Sequence, residues 1–181
     1  MSGKVLVTYA SRAGSTAGVA EAIGRTLAAR GLEVEVRPMR DVQDLTPYTA
    51  VVAGSAIRGG KWLPEAVQWV KTHQAELARK PFAAFLVCIT LAMPRADKYR
   101  AGVMEWLDPV RALVRPVSEG VFAGALDFSN VPLAFNTLLM RLAVLVRIFP
   151  RGDHRDWDAI AIWAGDLAAT LQREICPART Q

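Results

Sequence analysis

The chain has only two cysteines among its 181 residues, Cys88 and Cys176, and no CxxC pair. That excludes a disulfide framework, and both thiols are expected to be inert. Its two histidines, His73 and His154, have no Cys or His at ligand spacing, so no metal is assigned and both are expected at the surface. There is no internal repeat, and no Ser-rich or Pro-rich tract marks a linker. The start, Met1-Ser2-Gly3-Lys4, lacks the basic segment, apolar block and small-residue cleavage site of a signal peptide, which predicts a cytoplasmic location. The run Val131 to Pro150 is too often interrupted to span a bilayer. Arg141 and Arg147 break it, whereas a spanning helix needs about 20 predominantly apolar residues.

Charge excludes a further class. The net charge is +5, yet the basic residues are scattered singly, with no dense basic helix and no basic and aromatic stripe. Nucleic acid is therefore disfavoured as a partner, while anionic lipid and carboxylate-bearing substrates stay compatible. The 52% apolar and 22% charged composition is ordinary for a globular protein, and the length suits one core, read as a single domain over 1–181.

What is present is an alternation of short apolar strands and amphipathic helices. Strands are expected at Lys4 to Ala10, Glu33 to Arg37, Ala50 to Ala53, Phe82 to Ile89 and Val117 to Leu126. Helices are expected at Ser15 to Arg30, ending at Gly31 as a left-handed cap, from Pro64 to about Leu77, around Ala96 to Leu113, and from about Asp156, as N-cap, to Ile175. Such alternation implies parallel pairing through right-handed crossovers, with helices on both faces of a five-stranded sheet. Ligands of such sheets lie beyond the carboxyl ends of the strands at the topological switch point. Three loops converge there: Ser11 to Thr16, Ser55 to Trp62, and Thr90 to Arg95.

The first loop reads as an anion cradle, its alternative being a capped strand-to-helix turn. Ser11, Ser15 and Thr16 offer hydroxyls, Arg12 adds charge, and Gly14 removes a Cβ that would hold the backbone off a ligand. A helix N-terminus behind it favours such an anion by up to about 2 kcal/mol in a sheltered geometry. The loop lacks both GxxxxGK[ST] and GxGxxG, so a single phosphate is favoured over a triphosphate or pyrophosphate. The second loop, Gly54-Ser55-Ala56-Ile57-Arg58-Gly59-Gly60-Lys61-Trp62, combines small residues with one large aromatic able to cover a flat ring. Its alternative is a surface loop whose Trp62 and Leu63 pack on the next helix.

At this point the chain resembles the flavodoxin-like proteins, and among them the menaquinone-dependent protoporphyrinogen dehydrogenase branch. Tyr9 to Thr16 is similar to the FMN phosphate loop, Val51 to Gly60 to the first flavin-ring loop, Phe122 to Leu126 to the fifth strand, and Gly152-Asp153 with Asp156-Trp157 to the start of the last helix. The resemblance implies a doubly wound, three-layer α/β/α fold with strand order 2-1-3-4-5. It also implies FMN held by Ser11, Arg12, Ala13, Gly14, Ser15 and Thr16, with the ring between Ser55, Ala56, Ile57, Arg58, Gly59, Gly60 and Trp62 on one side and Thr90, Leu91 and Ala92 on the other. Two departures stand out. Many flavodoxins carry Thr where Ala13 stands, and the Thr90 loop lacks the Tyr that often stacks on the ring, leaving Trp62 as the evident aromatic cover.

Charge around the ring points to its chemistry. Arg58, Lys61 and Arg95 would stabilise reduced, anionic flavin, which suits accepting two electrons from an organic substrate and passing them to a quinone. The same cations can hold the propionates of a porphyrin-like substrate. No dedicated general acid or base is visible. The rival is a flavodoxin that shuttles single electrons, with no substrate of its own. The apolar segment at about 131–150 carries two alternatives. It is a helix packed on the domain body or in a homodimer interface, or one lying peripherally on the inner face of the cytoplasmic membrane, where a lipid-soluble quinone is met.

Overall fold

Strand β1 (Lys4–Ala10) is hydrophobic on both faces because it lies at the centre of the sheet, and Val5, Leu6 and Val7 are fully buried. The computed structural model describes residues 3–126 and 152–175. Helix α1 (Ser15–Ala29) returns the chain to β2 (Glu33–Pro38), and Gly31, at φ +86°, makes the expected left-handed exit. A 3-10 turn at Met39–Asp41 leads toward β3 (Tyr48–Arg58), followed by β4 (Lys61–Trp62), α2 (Pro64–Thr72) and α3 (Gln74–Leu77). Then come β5 (Phe82–Cys88), a 3-10 turn at Ile89–Ala92, α4 (Asp97–Glu105), α5 (Asp108–Arg111) and β6 (Ser118–Ala123). The pair β7 (Ala125–Leu126) and β8 (Gly152–Asp153) precedes α6 (Trp157–Ile175).

The parallel strands lie in the order β2-β1-β3-β5-β6, with β4 folded antiparallel onto β3. Counting the parallel strands alone, this is the expected 2-1-3-4-5. Two apolar layers cover the sheet. Leu6, Val51, Ala53, Leu86 and Val70 pack with the α2 to α5 side, while Val7, Val52, Phe85, Val19, Ile23 and Ile160 pack with α1 and α6. The latter layer is centred on Phe85, Phe122 and Trp163, whose rings lie 5.5 to 6.4 Å apart.

Several boundaries differ from the sequence reading, each for a local reason. β3 continues to Arg58, because antiparallel pairing of Ile57 with Trp62 and Arg58 with Lys61 extends it into a hairpin. The loop read as Ser55 to Trp62 is therefore mostly strand, with its turn at Gly59-Gly60, where φ is +58° and +72°. The helix expected from Ala96 to Leu113 is two helices, the second with a proline in its first turn. His73, expected at the surface, is buried against Trp69 with ring centroids 4.7 Å apart. Among the described residues, no helix is long and apolar enough to cross a membrane. The reading of 131–150, like Cys176, lies outside the described residues.

Candidate functional site

The register brings three strand ends to one level. Ala10 pairs with Ser55, Ala56 with Val87, and Cys88 with Ala123, so the ends of β1 and β5 lie beside the point where β3 runs on into its hairpin with β4. This is the carboxyl edge of the sheet, where β1 lies between β2 and β3 and the crossovers run in opposite directions.

Above β1, the turn Ser11 to Gly14 is held by the Ser11 hydroxyl, which accepts the Gly14 N–H at 3.1 Å. Gly14 sits in the left-handed region, at φ +84°, and a Cβ there would meet nothing within 4 Å, so the space over the turn is open. No side chain caps α1, and no acidic residue occupies its first turn. Thr16, in that turn, is fully buried, and its Oγ1 has no hydrogen-bond partner among the described residues. A buried hydroxyl without a partner is costly, and an uncapped helix start carries donors and partial positive charge. The turn thus has the donors, open space and electrostatics that a phosphate monoester needs, and the residues present fit FMN at this end.

Arg12 pairs with Glu65 in the first turn of α2, Nη2 to Oε1 at 2.9 Å. Both side chains are largely exposed, 64% and 47%, and such pairs contribute about 0–1 kcal/mol, so Glu65 is a weak competitor for Arg12. Nothing in the spacing of the sequence pairs these two residues. Glu65 reads there as an ordinary acidic residue at a helix start. Ala13 is exposed on the turn, and Ser15 lies at the start of α1 near Gly124.

The ring side is built differently from the expectation. Trp62 is only 3% exposed and belongs to the core layer under α2, so its ring is no open stacking face. The pairing with Ile57 turns it inward. Ser55 is also fully buried. Its hydroxyl donates to the Ala56 carbonyl at 2.8 Å and accepts the Leu63 N–H at 3.0 Å, so it braces the hairpin from within. Ala56 and Ile57 are half-buried at the edge of the core, and Gly59 and Gly60 form the turn. An aromatic that the sequence reading passed over lies close by: a Cβ on Gly60 would meet the Trp106 indole nitrogen at 3.3 Å. Opposite, Thr90, Leu91 and Ala92 are half-buried in the 3-10 turn after β5. Cys88 ends that strand as a buried free thiol, its pKa pushed up by burial. Arg58, Lys61 and Arg95 are all exposed on these loops, and Arg95 is held at φ +62°.

A doubly wound sheet with an open turn after its first strand that suits a single phosphate, and two loops flanking a space after its third and fourth parallel strands, is an architecture that binds mononucleotides. The flavodoxin domain matches residues 6–146, and the chain belongs to that family, whose cofactor is FMN. It is similar to a protoporphyrinogen IX dehydrogenase (quinone) of Leishmania major, 29% identical over 179 residues that cover 92% of this chain and 75% of that protein. Solved flavodoxins share its fold. One from the domain Archaea is 19% identical, covers 93% of this chain and 99% of its own, and superposes with a TM-score of 0.57. The Streptococcus pneumonia TIGR4 flavodoxin is 16% identical, covers 92% and 99%, and has a TM-score of 0.58.

Proposed function

We propose that the protein is an FMN-dependent oxidoreductase that oxidises a protoporphyrinogen-like reduced substrate and delivers the electrons to a quinone. The observation that carries this reading is the positive rim of the ring side. Arg58, Lys61 and Arg95 stand exposed on the two loops that flank the ring position, and none forms a salt bridge with a described residue. FMN supplies the two-electron relay. The chain supplies placement: Gly14, Thr16, the free N–H groups of the first turn of α1, and Arg12 bind the phosphate end. Gly59-Gly60 and Thr90 to Ala92 bound the ring, and the cations attract carboxylates such as porphyrinogen propionates. In each turnover the substrate loses two electrons and two protons and the quinone gains two of each to become the quinol, so oxidation of a porphyrinogen fully to a porphyrin takes three turnovers and three quinones. Similarity to a protein named as a quinone-linked protoporphyrinogen dehydrogenase supports the substrate class and the acceptor.

A carrier role is the second reading, favoured by likeness to flavodoxins over nearly their whole length. The two part in an equilibrium redox titration with bound FMN. The enzyme reading expects one two-electron wave at a comparatively high potential, whereas two separated one-electron waves with a very low second potential support the carrier. Anaerobic assay of porphyrinogen with menaquinone, beside NAD(P)H with quinone as the rival pair, then identifies the donor.

A further inference from the structure

Helix α4 bridges the two walls of the ring space. It packs on the 3-10 turn after β5, and Trp106, at its end, lies against Gly60 of the hairpin turn. Leu91 of the first wall, Ile57 of the second and Trp106 are half-buried at the edge of one core cluster. The other end of the helix is bare. Residues 97–102 are all exposed, and Tyr99 keeps 44% of its surface in solvent.

Tyr99, Gly102 and Trp106 follow one another at spacings of three and four residues, so they share a stripe of α4. Gly102 has no local reason to be glycine. It lies inside the helix without a positive φ, a Cβ there would meet nothing within 4 Å, and glycine is a poor helix former. Its effect is an open gap between two aromatic side chains whose backbone positions are about 10 Å apart along the axis. A gap of that length takes the apolar body of a tetrapyrrole. Cations border it: Lys98 lies one turn before Gly102, Arg95 just before the helix, and Arg58 and Lys61 flank the hairpin turn that Trp106 touches. The acids of α4, Asp97 and Glu105, oppose them only in part. Aromatic flanks with a positive border suit an apolar ring system that carries carboxylates.

We propose that this stripe of α4 is the substrate shelf: Tyr99 and Trp106 flank a tetrapyrrole lying over Gly102, and the bordering cations take its carboxylates. The inference rests on the substrate class proposed above. It is tested by fluorescence titration of the FMN-loaded, full-length protein with protoporphyrin IX, in the wild type, Gly102→Leu, Tyr99→Ala and Tyr99→Phe. Gly102→Leu fills the gap with a better helix former, so it should melt no lower than the wild type and hold FMN within twofold, yet bind the porphyrin at least tenfold more weakly. Tyr99→Ala should weaken the porphyrin at least threefold, and Tyr99→Phe less than twofold. Equal porphyrin affinity in the wild type and Gly102→Leu overturns the shelf, as does a wild type that binds no porphyrin. A Gly102→Leu variant that raises the KM for menaquinone with porphyrin affinity unchanged assigns the stripe to the acceptor and overturns the proposal too. The functional reading fails separately, if the FMN-loaded wild type forms no porphyrin from protoporphyrinogen with menaquinone. Wild-type turnover that Gly102→Leu leaves unchanged overturns the shelf alone.

Discussion

Thr16 illustrates how one residue can be written for a ligand. Its hydroxyl is buried without a partner among the described residues, a cost to the apoprotein of about 1–3 kcal/mol that a bound phosphate would offset. Thr16→Val should therefore act with opposite signs: the apoprotein melts higher, while FMN binds roughly 10- to 150-fold more weakly, corresponding to about 1.5–3 kcal/mol for a hydrogen bond to a charged group. Riboflavin, which has no phosphate, should lose almost nothing, and calorimetry with both ligands checks this. Gly14→Ala should cost about 1–2 kcal/mol of stability through its left-handed backbone and weaken FMN as well, read by urea unfolding and flavin titration. The turn proposed to take the phosphate is legible in sequence because hydroxyls, glycine and helix start are adjacent along the chain. Trp62 was misread for the converse reason. Whether an indole lines a cleft or the core depends on a hairpin pairing with Ile57 that no local pattern announces.

The elements that frame the site are held by close contacts at a few positions. Gly54 is one: a Cβ there would lie 2.0 Å from the Phe85 ring, which crosses it from the neighbouring strand. Gly54→Ala should destabilise by about 1–3 kcal/mol or more and disturb the start of the hairpin, seen as a lower urea midpoint. The start of α6 is fixed by two acids. Asp156 accepts the Ala159 N–H at 2.9 Å as the expected N-cap, and Asp153 grips Arg155, which stacks on Trp157 at 4.4 Å. Arg155 holds the Asp153 carboxyl below its usual range. A depressed carboxylate stabilises the fold above its unfolded pKa, near 4, and that contribution is lost as pH falls through the lower folded value. Asp153→Asn should thus lower stability at pH 7 by about 0–1 kcal/mol, the difference vanishing toward pH 2, as measured by unfolding at both pH values. Strand and helix order was legible from periodicity. The breaks at Thr72 and Glu105 were not, since both helices keep their apolar faces across them.

At the scale of the molecule, sheet order and layering follow from the alternation of short apolar strands with amphipathic helices, and the position of the site follows from the order. Chemistry is less visible, because it depends on which charges surround the ring space and not on any motif. That role is proposed for Arg58, Lys61 and Arg95. Replacing all three by Gln should lower the potential of bound FMN and raise the KM for a carboxylate-bearing substrate more than it changes FMN affinity, measured by redox titration and steady-state kinetics. The most direct test is anaerobic formation of porphyrin from protoporphyrinogen IX by the FMN-loaded protein with menaquinone as acceptor. Porphyrin production that requires protein, FMN and quinone together, and that falls in the triple Gln variant, is the predicted result. A rate no higher than that of the protein-free blank would contradict the account.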